Sequence, residues 1–301
     1  LLYGQYGVLD IHLLADAATD DRVTRVALLL LTLGLMLKAA LWPLHQWLPN
    51  AHAAAPTAVS ALLSALVVKG PLFILWMLWD NIAPPDLARQ AGVVFALAGV
   101  AALVAGGWAA LRTPWIKVLV AYSTVAQLGY ALMALGLLLH WQDPTLSTAL
   151  WLFVIAHGLA KVSMFLAAGE MQGTLGSRRV SALKGASQTM PVAMFAFVVA
   201  GGSLVGLPPS GGFVAKWVLL QPLLIQPSHW PWALGVVLGT LASAAYVFRV
   251  VAIAFDRDVF GLDDAHVAYV HATNEAVRFQ IRPFDENIAV AYMAGQFARS
   301  I

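Results

Sequence analysis

The chain has 301 residues, 60% of them hydrophobic and only 11% charged, and its mean hydropathy of +0.78 excludes an ordinary soluble domain in favour of an all-α integral membrane protein. A formal charge of +2, carried by few and unclustered basic residues, excludes nucleic-acid binding. With no cysteine, disulfides, thiolate chemistry and cysteine-held metal or iron–sulfur centres are excluded, so any redox centre belongs to another subunit.

The chain starts Leu1-Leu2-Tyr3 with neither Met nor signal sequence, and reads as part of a longer polypeptide. Residues 1–22 form an extracytoplasmic lead-in to a transmembrane domain at 23–255. Seven apolar segments are long enough to cross a bilayer: Val23 to Trp42, Ala58 to Trp79, Ala91 to Leu111, Val118 to Leu139, Thr148 to Gly169, Pro191 to Ile225 and Trp232 to Phe255. Prolines stand between segments or at their starts, and tryptophans gather at segment ends as interfacial belts require. Arg112, Lys117, Arg178, Arg179 and Lys184 share one side, and by the positive-inside bias that side is cytoplasmic. The tail, 256–301, mixes charged and apolar residues at loose helical spacing and is expected to form one or two cytoplasmic surface helices.

The segment from Pro191 to Ile225 must break. At about 1.5 Å per residue it is too long for a straight crossing of a core roughly 30 Å thick, and Leu207-Pro208-Pro209-Ser210-Gly211-Gly212 lies inside it. Pro208 and Pro209 lack N–H groups, Gly211 and Gly212 hold a helix weakly, and the carbonyls they release need protein or water rather than lipid. Lys216 follows directly, where an ion path is to be sought.

Four of the six lysines, Lys38, Lys69, Lys161 and Lys216, lie inside crossing segments. Each costs roughly 2.5–3.5 kcal/mol at the bilayer centre on insertion scales, so four point to a functional demand; snorkelling to the interface is the plain alternative, strongest for Lys38, five residues before Pro43. His157 and Lys161 are four apart and share a helix face, a pairing suited to proton exchange, although a lone histidine is more often a packing residue. Tyr122, Ser123, Thr124 and Gln127 form a polar cluster whose plain role is interhelical hydrogen bonding. His45 and His52 fall in the loop after the first segment, where solvent exposure is the simpler reading and proton uptake the other; they are weak signals for a metal. No metal or cofactor is expected in this chain.

These residues carry a resemblance. Leu37 through Ser60, with Lys38-Ala39-Ala40-Leu41-Trp42-Pro43 and Leu48-Pro49-Asn50-Ala51-His52 at its centre, closely resembles the seventh-to-eighth helix signature of the antiporter-like subunits of respiratory complex I, Mrp-type sodium/proton antiporters and membrane-bound hydrogenases. Lys117 through Gly129, Ala156 through Gly169 and Leu204 through Lys216 match that family's tenth, eleventh and broken twelfth helices in order. The resemblance covers about residues 1–255 and implies an inverted-repeat antiporter-like fold in the inner membrane of a prokaryote. It implies that Lys38 belongs to a first half-channel, Lys69 to a connecting position, His157 and Lys161 to a central polar axis and Lys216 to a second half-channel. The glutamate that partners the first lysine in the family falls before Leu1, and Glu170 stands only at a segment end, so Lys38 is expected without its carboxylate.

The function expected is proton translocation, with sodium as a second candidate ion, by a membrane subunit of a multisubunit complex. Two other classes remain open: a non-conducting scaffold, and a small-molecule transporter with a pocket at the break after Leu207.

Overall fold

The computed structural model describes residues 1–256, so the helices expected in the tail lie outside the described residues. Two short helices, α1 (Leu2–Tyr6) and α2 (Ile11–Ala17), occupy the lead-in. Next, α3 (Arg22–Lys38) starts where the Asp21 carboxylate accepts the Thr24 amide at 2.8 Å; that bond holds the Asp21 carboxyl below its usual range. The helix stops at Ala39 and Ala40, the latter at φ 52°, and the Trp47 indole N–H ties back to the Leu37 carbonyl at 2.8 Å.

Helix then resumes as α4 (Trp47–Ala54), which corrects the expectation of an exposed loop here. Leu48 and His52 are four apart, so one face carries both inward, and each has no exposed surface. After Pro56, α5 (Thr57–Leu62) runs through a π-helical turn (Leu63–Val67) into α6 (Lys69–Asn81), and the three together make one candidate membrane span. Four long apolar helices follow the same pattern of span length: α7 (Pro85–Arg112), α8 (Ile116–Trp141), α9 (Pro144–Leu175) and, after the break described next, α13 (Trp230–Phe255).

A single turn, α10 (Ala186–Thr189), leads into α11 (Pro191–Val205), and α12 (Gly211–Ile225) completes the broken crossing where the sequence placed it. Gly206 ends α11 in the left-handed region at φ 91°, returning the Gly206 and Leu207 amides to the Gly202 carbonyl at 2.9 Å each. Ser210 caps α12 through the Phe213 amide at 3.2 Å. Among the described residues five helices are thus long and apolar enough to cross, with the pair α11 and α12 apolar but shorter.

The bundle is arranged around α8, whose most apolar window is 89% buried against 33–44% for the other spans. Its closest partner is α7. Gly92, Gly99 and Gly106, spaced by seven, lie against Gly136 and His140, Gly129 and Met133, and Ala126. Lipid offers no hydrophobic drive between helices, so close backbone approach across small residues must supply the attraction. A Cβ on Gly99 would lie 2.6 Å from the Gly129 carbonyl oxygen, and one on Gly136 would collide with the Gly92 carbonyl and the Ala96 amide.

Replacing Gly136 by Leu should therefore force α7 from α8, an overpacking cost of about 3 kcal/mol or more, and lower the melting temperature and folded yield of the solubilised protein. Gly34→Leu, at an exposed site with nothing within 4 Å of its would-be Cβ, should leave both unchanged in the same fluorescence-detected chromatography.

Candidate functional site

Three of the four intramembrane lysines are buried: Lys69, Lys161 and Lys216 keep 7%, 0% and 5% of their surface. Each ammonium must find acceptors inside the bundle. The described ion pairs, Arg25 with Asp20, Arg89 with Asp86 and Lys184 with Asp256, involve none of them. Backbone carbonyls and hydroxyls serve instead.

Lys69 donates to the Ser64 carbonyl at 2.6 Å, within the π-helical turn. Such a turn shifts the hydrogen-bond ladder by a residue and loosens its carbonyls for other donors. The Ser64 hydroxyl pairs with the Thr124 hydroxyl at 2.9 Å, and Thr124 donates on to the Val120 carbonyl at 3.1 Å. Lys161 donates to that same carbonyl at 2.9 Å and to the Ser123 hydroxyl. One α8 carbonyl thus joins the Lys69 and Lys161 neighbourhoods.

Lys216 is held by the break. Its ammonium donates to the Leu204 and Val205 carbonyls at 2.7 and 3.0 Å, two of the last carbonyls of α11, and lies 3.5 Å from the Thr240 hydroxyl. A helix C-terminus offers unpaired carbonyls and the negative end of its dipole, so a cation is well placed there. The ammonium also sits 4.5 Å above the Tyr130 ring. Gly206 passes close to this side chain, and a Cβ there would lie 3.1 Å from Lys216 Cδ.

Gln127 bridges the two groups of lysines. Its amide nitrogen, with two hydrogens to share, lies 3.3 Å from the Leu204 carbonyl, 2.7 Å from the Ser243 hydroxyl and 3.1 Å from the Tyr246 hydroxyl. The Tyr246 hydroxyl in turn faces Ser123, the hydroxyl that Lys161 holds. Polar groups therefore line up in two hydrogen-bonded runs, Lys69, Ser64, Thr124, Val120 carbonyl, Lys161 and Ser123 in one, and Tyr246, Gln127, Leu204 carbonyl and Lys216 in the other, with Ser123 and Tyr246 facing each other where they meet.

His157 is 2% exposed and stacks on Phe153 with ring centroids 5.9 Å apart. Both its ring nitrogens lack a protein partner, while the charges of Lys69 and Lys161 both bear on it. Gly158, beside it, keeps α9 close to the Lys69 ammonium, which would lie 3.7 Å from a Cβ added there.

Not every residue singled out from sequence joins this chain. Ser123, Thr124 and Gln127 do, whereas Tyr122 is half-buried on another side of α8. Lys38 is exposed at the end of α3 beside an apolar groove of about 490 Å³ lined by Leu1, Tyr3 and Leu31, and has no ion-pair partner among the described residues. Pro208 and Pro209 sit between α11 and α12, and Gly212 packs so closely that a Cβ would collide with the Ser203 carbonyl. The sequence reading missed Ser64, Tyr130, Thr240, Ser243 and Tyr246. Thr240, Ser243 and Tyr246 recur at three-residue intervals inside an apolar helix, a spacing that marks one polar stripe.

Comparison with known proteins agrees with this architecture. Residues 1–243 match the sequence profile described as NADH:quinone oxidoreductase/Mrp antiporter, TM. The chain is 34% identical over 256 residues to NADH-quinone oxidoreductase subunit N of Desulforudis audaxviator, covering 84% of this chain and 50% of that protein. It is 32% identical over 232 residues to hydrogenase-4 component B of Escherichia coli, covering 74% and 34%. In three dimensions it superposes on a chain of the Mrp complex of Dietzia sp. DQ12-45-1b with a TM-score of 0.75 and 28% identity, covering 88% of this chain and 50% of that one. The chain thus spans half or less of the length of these relatives. It is a multi-pass membrane protein, and it belongs to the NADH:quinone oxidoreductase/Mrp antiporter transmembrane family.

Proposed function

We propose that this chain carries protons through the membrane along Lys69, His157, Lys161 and Lys216, as part of a membrane subunit of a multisubunit complex. The observation that carries the reading is the line of polar groups between Lys69 and Lys216, with three buried ammonium groups held by carbonyls and hydroxyls and, among the described residues, by no carboxylate. A carboxylate would fix each charge in a permanent pair. Neutral acceptors leave each lysine able to gain or lose its proton, and the charge on one bears on the next. His157, between Lys69 and Lys161, adds a group with two exchangeable ring positions.

The chain itself makes and breaks no bonds other than those to protons. A redox partner, or an opposing sodium gradient, drives the movement through subunits bound alongside it, as the relatives' names as complex subunits suggest. The side bearing Arg112, Lys117, Arg178 and Arg179 faces the cytoplasm of a prokaryotic cell by the positive-inside bias. These groups share one end of the bundle: the Ile116 amide donates to the Arg178 carbonyl at 3.0 Å, and Arg249 donates to the carbonyls of Leu111 and Thr113.

Lys161→Ala and Lys216→Ala, made in the full-length protein within its native complex, should each reduce proton uptake into proteoliposomes to background while leaving complex assembly intact. Wild-type uptake in both would remove the axis and leave a non-conducting scaffold. Gly212→Ala should part α12 from α11, move Lys216 off the Leu204 and Val205 carbonyls, and lower uptake while the complex still assembles; native gels and the uptake assay read the two effects separately.

A further inference from the structure

His52 lies off the polar chain and has no surface of its own, yet neither ring nitrogen has a protein partner. Buried polar atoms are almost always bonded, and leaving two imidazole nitrogens bare serves no packing purpose that a phenylalanine would not serve better. Its position is specific. The ring stacks on Phe165 with centroids 4.4 Å apart, and Phe165 is one helical turn beyond Lys161 on the same face of α9, about 6 Å along the axis. On the other side, the Lys117 ammonium donates to the Ala55 carbonyl at 3.2 Å, at the C-terminal end of the short helix that carries His52. The Ser60 hydroxyl holds the His52 carbonyl at 3.4 Å, fixing this helix end against α5. Burial first, and then the charges of Lys161 and Lys117, push the ring's pKa down to about 3, so it rests neutral and would hold a proton only in passing.

Depth orders these groups. Lys117 opens α8 beside Arg178 and Arg179 at the basic end; Val120, one turn deeper, offers the carbonyl that Lys161 holds. His52, stacked on Phe165, falls between the basic surface and Lys161, and the polar chain described above supplies no other imidazole on that side. We propose that His52 is the proton-exchange residue linking the basic-end surface near Lys117 to Lys161. A proton from solvent adds to one ring nitrogen of His52, the proton on the other nitrogen leaves through intervening water, and the neutral Lys161 amine accepts it. The ring is then neutral as the opposite tautomer, and a flip of the ring or exchange with water restores the first before the next proton, so protons balance across each cycle.

The inference rests on the proposed axis, and the test separates the two. His52→Phe, made in the full-length protein within its native complex, keeps an aromatic ring on Phe165 but cannot carry a proton. Proton uptake into proteoliposomes should fall by about a hundredfold, the scale of losing one positioned acid–base group. Thermal stability and assembly should stay at wild-type values, and the dependence of the residual rate on the pH of the basic-end compartment should flatten. Wild-type uptake in His52→Phe, with Lys161→Ala inactive, overturns the His52 assignment and keeps the axis. Wild-type uptake in both variants overturns the axis itself. Should His52→Phe fail to assemble, His52→Gln, which hydrogen-bonds but does not ionise, decides in its place: loss of uptake supports the assignment, and retention overturns it.

Discussion

A buried ammonium without a carboxylate is the constraint on which the rest of this bundle depends. Desolvating such a charge is costly, and truncating its partners would leave it uncompensated. The protein meets the demand with backbone oxygens, most of which a regular helix already engages in its own ladder. Each buried lysine therefore coincides with an irregularity or a special surface: a π-helical turn at Lys69, a broken helix at Lys216, and at Lys161 a carbonyl of α8 shared with Ser123 and Thr124. At Lys69 and Lys216 helix irregularity is the source of acceptors, which explains why it sits inside an apolar bundle despite what lipid would exact there; at Lys161 a carbonyl within continuous helix is shared instead.

That arrangement needs a rigid partner. A carbonyl can serve three donors at Val120 only if α8 does not move relative to α9 and α13, and α8 is the helix with the least lipid contact. The glycine seam with α7 fixes it on one side. On the other, hydroxyls and amides of the polar chain reach α9, α11 and α13 from successive turns of the same helix. Helix packing and the polar side chains are thus divided between the two faces of α8. A bulky residue on the glycine face acts on the whole bundle, whereas a change on the polar face acts first on the acceptors.

Five of the seven crossings expected from sequence became candidate spans because apolar length reads directly as span, while Val23 to Trp42 became α3 (Arg22–Lys38), 17 residues long and not among them. The apolar run from Val118 to Leu139 became α8 (Ile116–Trp141), and the Pro208-to-Gly212 break became the gap between Val205 and Gly211. The buried lysines were legible for the same reason, since a charge in an apolar run stands out. What the sequence could not display was which backbone oxygens would be free. A π-helical turn at Leu63–Val67 has no proline or glycine to announce it, and Ser243 and Tyr246 look like isolated polar residues until α13 is placed against Gln127. His52 was misjudged because Pro43, Pro49 and Pro56 suggest a loop, while Leu48 and His52 together drive a short helix inward.

Lys38 tests how far the carbonyl argument extends. It ends α3 with Ala39 and Ala40 just beyond, where a helix C-terminus again offers unpaired carbonyls, yet its ammonium is exposed and binds none of them. The Leu37 carbonyl next to it is taken by the Trp47 indole, and the Met36 carbonyl by the Leu41 amide. The side chain stays at the surface, where water solvates its charge and no protein acceptor is needed. Two interrupted helices thus treat their lysines differently: the end of α11 turns the Leu204 and Val205 carbonyls onto the buried Lys216 ammonium, which reaches them from α12, whereas Lys38 belongs to the helix that ends and extends away from it to the surface.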